Sequence, residues 1–185
     1  MGETWTLNFD GAAEPINPGG IPTYGYVLKK AGLVMKVGKG LAAEPGSSQA
    51  TNNVAEYTAC LMGLEVLKGV VAKGDRVEVR GDSQLAIRQL KGEYAVNAPT
   101  IAPLYQKAKL KIHDLEMNGI KVDLLWIPRE ENAEADQLSK DAILDAKKAD
   151  PEILKKCIFT WGKHKGKSVA QVPPGYMEWL EKSRK

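Results

Sequence analysis

The chain has 185 residues, of which 43% are hydrophobic and 26% are charged, as expected for a globular protein with a sizeable core. No stretch approaches the roughly 20 apolar residues of a membrane helix, and residues 1–9 lack the basic and apolar parts of a secretory signal. Two distant cysteines, Cys60 and Cys157, predict free thiols and a cytoplasmic location.

The net charge of +3 is unevenly distributed along the chain. Residues 151–185 contain eight basic and three acidic residues, a net charge of +5, so the first 150 residues carry −2. Positive charge attracts a phosphate backbone, and the end of the chain is therefore a candidate for nucleic-acid contact. A basic terminus that is merely solvated is the alternative.

The first half of the chain predicts three strands followed by a helix. Residues 5–10 predict a short strand that ends at Asp10, and residues 24–30 and 33–41 predict a hairpin around Ala31-Gly32. A helix opens at residues 51–53, continues with apolar residues at helical spacing, and ends near Gly74.

The second half alternates strands and helices. We expect a strand over residues 76–81, a short helix over 83–90 and a longer helix over 103–118. A fifth strand over 121–127 and a final helix over 131–148 complete the order. Three meandering strands followed by helix-linked strands indicate an α/β protein with a five-stranded mixed sheet flanked by helices.

Composition divides the chain into a main domain (residues 1–148), a linker (149–158) and a small C-terminal module (159–185). The module is too small to bury a core alone, so it must dock on the main domain, bind a partner, or stay mobile. We expect a glycine- and lysine-rich turn or hairpin, then a helix from Pro174, with Trp179 in the module's own core. In an extended strand, Lys163, Lys165 and Lys167 would share one face.

Four carboxylates stand out by their positions at the edges of predicted elements. Asp10 and Asp82 end strands, while Glu56 and Asp136 lie near the starts of helices. Adjacent strands lie about 4.8 Å apart, so acids at neighbouring strand ends can share a metal ion. Such hard oxygen ligands suit two Mg²⁺ ions, or Mn²⁺ in their place, holding a phosphodiester between them. Any one of these acids alone is more often a helix cap or a surface charge.

These acids lie in four motifs that together resemble ribonuclease H type 1 over roughly residues 4–146. The motifs, in chain order, are Phe9-Asp10-Gly11-Ala12 with Asn17-Pro18-Gly19, then residues 51–56 (TNNVAE), residues 81–84 (GDSQ) and residues 128–139 (PREENAEADQLS).

The resemblance implies a ribonuclease H-like fold and hydrolysis of the RNA strand of RNA–DNA hybrids, leaving a 5′-phosphate and a 3′-hydroxyl. It implies that the four acids bind the metal ions and that Asn52 and Gln84 contact the hybrid, where the RNA 2′-hydroxyl meets amide groups. The full set of substrate contacts that it implies is Gly11, Asn17, Thr51, Asn52, Ser83 and Gln84. Thr51 is equally a candidate N-terminal cap of its helix.

Two features depart from the family pattern. The loop before Asp136 has no histidine and carries Arg129, which cannot shuttle protons but can neutralise a phosphate or assist product release. A solvated loop arginine is the alternative. Residues 91–118 also lack the basic, tryptophan-containing protrusion of some members, so we expect Lys163, Lys165 and Lys167 to bind the substrate instead.

The sequence leaves two other functions open. The chain could be a module that binds hybrid or double-stranded RNA without cutting it, although binding alone needs no cluster of acids. It could also be a nuclease of the same fold that cuts double-stranded RNA. We expect a monomer, and the C-terminal module could bind either nucleic acid or a partner protein.

Overall fold

A five-stranded mixed sheet forms the centre of the computed structural model, which describes residues 2–183, and its strand order is β3-β2-β1-β4-β5. The predicted α/β architecture is confirmed. The strands are β1 (Thr4–Glu14), β2 (Ile21–Lys30), β3 (Leu33–Leu41), β4 (Arg76–Gly81) and β5 (Lys121–Trp126). The helices are α1 (Asn52–Lys68), α2 (Gln84–Leu90), α3 (Ala102–Met117), α4 (Ala133–Ala149), α5 (Ile153–Lys156) and α6 (Pro174–Lys182).

The central strand β1 has partners of unequal length on its two sides. It pairs antiparallel with β2 from Trp5 to Glu14, but its parallel ladder with β4 ends at Phe9, opposite Gly81. The prediction that Asp10 ends the first strand is therefore wrong, because β2 supports β1 for four residues beyond it. Asp10 instead lies just past the last β4 pair, beside the point where β4 ends.

The side chains of β1 alternate between the two helical layers. Leu7 and Phe9 are fully buried in the main core, which α1, α2 and α3 also supply. Asn8 and Asp10 point the other way and hydrogen-bond to Asn132 and Ser139, the latter in α4. Because successive side chains of a strand face opposite sides of a sheet, α1 and α4 cover opposite faces.

Two predicted helix boundaries also change. The first helix ends at Lys68 rather than near Gly74, and residues 69–75 form turns that lead into β4. A 3₁₀ turn, Arg129–Asn132, precedes α4, so the final helix begins two residues later than expected.

The C-terminal segment, defined here as residues 150–183, docks on the main domain through a second apolar core. Phe159 is 1% exposed in this core and makes edge-to-face contacts with Trp161 and Tyr176. The helix expected from Pro174 is present as α6. The core comprises Ile16, Ile21, Ile143, Ala146, Ile153, Cys157, Phe159, Val169, Val172 and Leu180.

Two expectations for the C-terminal module are wrong. Trp179 is 58% exposed, because Phe159 and Leu180 rather than the indole fill the shared core. Lys163, Lys165 and Lys167 are exposed on a tight turn closed by a hydrogen bond from Gly166 N to Phe159 O, so they do not alternate along a strand. Arg184 and Lys185, which contribute to the charge of the module, lie outside the described residues.

Among residues 2–183, none of the helices combines the length and the apolar character required for crossing a bilayer.

We predict that Gly25→Ala destabilises the protein by about 1–3 kcal/mol, a typical cost of overpacking. A β-carbon at Gly25 would lie 2.6 Å from Ser139 N and 2.6 Å from Ala135 O, so α4 would have to move away from β2. Urea denaturation measures the change.

The matched control is Gly175→Ala in α6, where a β-carbon meets nothing within 4 Å. There alanine removes backbone freedom from a helix and is expected to be neutral or slightly stabilising. Equal stability of the two variants would contradict the close packing of α4 on β2.

Candidate active site

Parallel pairing of β1 with β4 brings Asp10 and Asp82 together. Phe9 pairs with Gly81 at the end of the ladder. Asp10 directly follows Phe9, and Asp82 directly follows Gly81. Asp10 is 5% exposed, whereas Asp82 is half-buried. The carboxylates therefore meet where two neighbouring strands part.

Glu56 approaches this point from α1, and Gly11 makes the approach possible. A β-carbon at Gly11 would lie 2.1 Å from Glu56 N, so any side chain there would push the helix off the strand. The backbone of Gly11 also favours the ionised form of the Glu56 carboxylate and so lowers its pKa, against the larger effect of burial. The expected substrate contact Gly11 thus has a clear structural role.

Asp10, Glu56 and Asp82 each offer a carboxylate oxygen, and these oxygens all lie within 4.8 Å of one another. Burial raises the pKa of Asp10 to about 7, and the neighbouring Asp82 and Asp136 add to the effect against a hydrogen bond from Ser139. Burial, followed by the charges of Asp10 and Asp82, raises the pKa of Glu56 well above its ordinary value. Asp10 and Glu56 therefore resist being ionised together unless a cation joins them.

Asp136 lines the same cleft but is neutralised by two cations. Arg129 Nη2 and Lys140 Nζ each lie 2.5 Å from one of its carboxylate oxygens. Burial alone would raise the pKa of Asp136, but the hydrogen bonds from Lys140 and Arg129 outweigh it and lower that pKa. The fourth acid is thus more readily ionised without a metal ion than Asp10 or Glu56.

Arg129 is 67% exposed in its side chain and reaches Asp136 from the 3₁₀ turn. Its contact with Asp136 raises the pKa of the guanidinium, so it remains a cation at the mouth of the cleft. The arginine is therefore tied to one of the four acids and is not simply solvated.

The cleft is open and has a volume of about 410 Å³. Its walls include Asn17 and Asn52, which are joined by a hydrogen bond from Asn52 N to Asn17 Oδ1 of 3.1 Å. Asn52 Oδ1 also accepts a hydrogen bond from Ala13 N at 2.6 Å. The two asparagines therefore form a cross-linked polar wall beside the acids.

Thr51 and Ser83 are both N-terminal caps. The Thr51 hydroxyl accepts from Val54 N at 3.1 Å, and that of Ser83 accepts from Ala86 N at 3.3 Å. The capping alternative for Thr51 is thus the one found. Gln84, the first residue of α2, is exposed and follows Asp82 by two residues.

Three residues at the site were not singled out from the sequence. Asn132 is 1% exposed and donates to both Phe9 O (2.9 Å) and Asp82 Oδ1 (3.0 Å). Ser139 is fully buried and lies 2.5 Å from Asp10 Oδ2. Lys140 follows Asp136 by one helical turn. For this lysine, the i,i+4 spacing is the signal that the sequence offers.

Lys163, Lys165 and Lys167 are not among the residues that line the cleft. They are exposed on their turn and form none of the ion pairs found within residues 2–183. Their positive charge is therefore free for an external anion.

The donor set fits a divalent metal ion. Glu56 Oε2 is buried and has no hydrogen-bond partner among the described residues. An orphaned carboxylate oxygen that faces two further carboxylates is costly without a cation. The acidic cluster is thus consistent with binding of a divalent cation at Asp10, Glu56 and Asp82.

The chain is similar in sequence to one known protein family and to ribonuclease H proteins. A family described as reverse transcriptase-like matches residues 27–142, more than half of the chain. Ribonuclease HI of Halobacterium salinarum is 34% identical over 140 residues, which cover 75% of this chain and 63% of that protein. The bifunctional protein Rv2228c of Mycobacterium tuberculosis is 34% identical over 95 residues, 51% of this chain and 24% of that protein. The chain thus spans less than two thirds of the length of these relatives.

Solved structures of ribonuclease H domains share the fold of this chain. The N-terminal RNase H domain of Rv2228c superimposes with a TM-score of 0.66 at 30% identity, over 80% of this chain and 98% of that one. LC11-RNase H1, crystallised in complex with an RNA/DNA hybrid, gives a TM-score of 0.64 at 33% identity, over 77% of this chain and 98% of that one.

We predict that Asp10→Asn abolishes cleavage of a hybrid yet raises the melting temperature in metal-free buffer at pH 8. The Asp10 pKa of about 7 is above its unfolded value, so ionised Asp10 destabilises the fold as pH rises from about 4 through 7. Each tenfold change in a protonation equilibrium is worth about 1.4 kcal/mol, and the pKa of Asp10 rises from 3.8 to about 7, so the gain is up to about 4 kcal/mol at pH 8 and shrinks towards pH 5.

Glu116→Gln, which removes an exposed carboxylate on α3, is the control and is expected to change neither property. Normal cleavage by the Asp10 variant, or a stabilisation independent of pH, would contradict the assignment.

Proposed function

This chain belongs to the ribonuclease H type 1 family, and from that premise we propose that it hydrolyses the RNA strand of RNA–DNA hybrids, leaving a 5′-phosphate and a 3′-hydroxyl. One observation carries the proposal: Asp10, Glu56 and Asp82 converge within 4.8 Å in a cleft whose wall is the asparagine pair. Similar proteins are named ribonuclease HI, and one was crystallised with a hybrid.

We propose two Mg²⁺ ions as the cofactor, with Mn²⁺ as a substitute, held by Asp10, Glu56, Asp82 and Asp136. Bound there, divalent ions supply an activated attacking water and neutralise the leaving oxygen. The chain's own part is to hold the carboxylates in position. Asn132 orients Asp82, and Ser139 orients Asp10.

Asp136 and Arg129 complete the mouth of the cleft. The two cationic partners of Asp136 lower its pKa and keep it ionised, so it could bind a metal ion without first losing a proton. If Asp136 bound a metal ion, Arg129 would be free to meet the scissile phosphate with its guanidinium donors. This role requires charge rather than proton transfer.

Substrate contacts are proposed on both sides of the acids. Asn17 and Asn52 would meet the sugar-phosphate backbone and 2′-hydroxyls, with Gln84 in the minor groove. Backbone groups of Gly11 and the capped ends at Thr51 and Ser83 would support them. Lys163, Lys165 and Lys167 would add contacts to phosphates beyond the cleft.

We also propose that the chain acts as a monomer, since a single chain supplies all four acids of the cleft. Sedimentation of the purified protein tests this, and a dimer through the exposed apolar residues of edge strand β3, such as Leu33 and Met35, is the opposing result. The buried free thiols of Cys60 and Cys157 favour the cytoplasmic location.

Incubation with Mg²⁺ and end-labelled hybrid, duplex RNA or duplex DNA tests the proposed activity. We expect cleavage of the RNA strand of the hybrid only, with 5′-phosphate products. Binding of the hybrid without any cleavage would identify a binding module instead. Cleavage of duplex RNA would identify a nuclease of broader substrate range.

Arg129→Ala is expected to lower kcat about tenfold or more, equivalent to about 1.4 kcal/mol of barrier, whereas Arg129→Lys retains most activity. The reason is that a cation is needed at this position, not a proton donor. Steady-state kinetics with saturating Mg²⁺ measure both. Arg76→Ala, at the opposite end of β4 from Asp82, is the matched control and should leave kcat unchanged. An equal reduction of kcat in the lysine and alanine variants would refute a role through charge alone.

Replacing Lys163, Lys165 and Lys167 with alanine is expected to raise KM with little change in kcat. The ammonium groups would bind phosphates equally well in the ground and transition states, so their removal weakens binding without raising the barrier. The log–log salt dependence of hybrid binding should flatten by up to about 0.9 for each phosphate that is no longer neutralised. Unchanged KM and salt slope would show that these lysines do not touch the substrate.

A further inference from the structure

The loop between β1 and β2 (residues 15–20) has one side in the cleft and the other against the C-terminal segment. On the cleft side, Asn17 lines the wall and accepts the hydrogen bond from Asn52 N. On the other side, Ile16 is fully buried in the second apolar core with Phe159. The same six-residue loop therefore belongs both to the proposed substrate wall and to the seat of the C-terminal segment.

The contact between the C-terminal segment and the chain around this loop is backbone against backbone. A β-carbon at Gly19 would lie 2.2 Å from Ile158 O, and one at Gly46 would lie 1.7 Å from Lys156 O. Both glycines also have a positive φ, 97° at Gly19 and 77° at Gly46. Close approach of this kind leaves little freedom in relative position, because backbone atoms cannot rotate out of the way.

Backbone hydrogen bonds and apolar cover together order the loop. The hydrogen bonds run from Gly19 N to Ala50 O (2.8 Å) and from Gly46 N to Gly20 O (3.1 Å). Without the C-terminal segment, Ile16 would lose the apolar residues of the second core that this segment supplies, Phe159 among them. Buried apolar contact therefore supplies much of the loop's order.

We propose that the C-terminal segment is a positioning element for the substrate wall: by packing Phe159 behind the β1–β2 loop, it holds Asn17 and Asn52 in the arrangement that receives the nucleic acid. The inference rests on the proposed function for what the wall binds, but not for the ordering of the loop. Phe159 acts through Asn17 and is a positioning residue. This role differs from that of the exposed lysines, which lie on the surface of the same segment.

Hydrogen exchange of single backbone amides, measured by NMR on the full chain, tests the ordering directly. The reporters are Gly19 N and Asn52 N, both hydrogen-bonded at the loop, and Leu7 N in the central strand reports on the whole fold. In Phe159→Ala we expect exchange at the two loop amides to rise tenfold or more relative to any change at Leu7. Leu115→Ala, a buried truncation in the main core, is the control and should not change the loop selectively.

Kinetics on the same variants connect the ordering to function. Phe159→Ala should raise KM for the hybrid severalfold with kcat within about twofold, and leave Mn²⁺ affinity and the salt slope unchanged. The triple lysine variant should instead flatten the salt dependence of binding and leave hydrogen exchange in the loop unchanged. If Phe159→Ala does not fold, Phe159→Leu is read in its place, with the same direction and a smaller effect.

The inference is overturned if a folded Phe159 variant shows native exchange at Gly19 and Asn52, or if exchange rises equally at Leu7. A wild-type protein that fails to cut any nucleic acid would refute the proposed function alone, since the exchange measurements need no substrate.

Discussion

Three carboxylates that share a small and largely buried volume set the central constraint on this protein. Asp10, Glu56 and Asp82 offer oxygens within 4.8 Å of one another, and burial raises the pKa of Asp10 to about 7. Such an arrangement opposes folding at neutral pH, because like charges repel and because burial disfavours the ionised forms of Asp10 and Glu56. A bound divalent cation would offset this repulsion. The surrounding strands and helices hold the three carboxylates close together.

The fold achieves that convergence through unequal pairing and two close approaches. β4 separates from β1 after the Phe9–Gly81 pair, and the next residue in each case is an aspartate, so Asp10 and Asp82 lie together where the strands diverge. Gly11 lets α1 bring Glu56 onto the sheet, and Gly25 lets α4 bring Ser139 and Asp136 to the other face. Asn132 then fastens Asp82 to the backbone of Phe9. The absence of a side chain at two glycine positions is thus as important to the site as the acids themselves.

Much of this could be predicted from the sequence, and the remainder follows from contacts between distant residues. Periodicity and turn residues indicated the order of strands and main helices, and the motifs indicated the four acids. The extension of β1 to Glu14 could not be foreseen because it depends on pairing with β2. Ser139 and Asp10 are 129 positions apart, and Trp179 is exposed while Phe159 is buried because the module shares its core with the main domain. The division into residues 1–148, 149–158 and 159–185 stays a prediction about folding units, although Ile153 and Cys157 of the expected linker are buried in that shared core.

Crowded carboxylates that are partly protonated at neutral pH are expected to exchange their protons for a divalent cation. Isothermal titration of Mg²⁺ or Mn²⁺ at pH 7, in two buffers of different ionisation enthalpy, counts the protons released on binding. With the pKa of Asp10 at about 7 and that of Glu56 also raised, we predict release of at least about half a proton, falling as the pH is raised above 8 and absent in Asp10→Asn combined with Glu56→Gln. Binding without proton release at pH 7, or no saturable binding at all, would contradict the account.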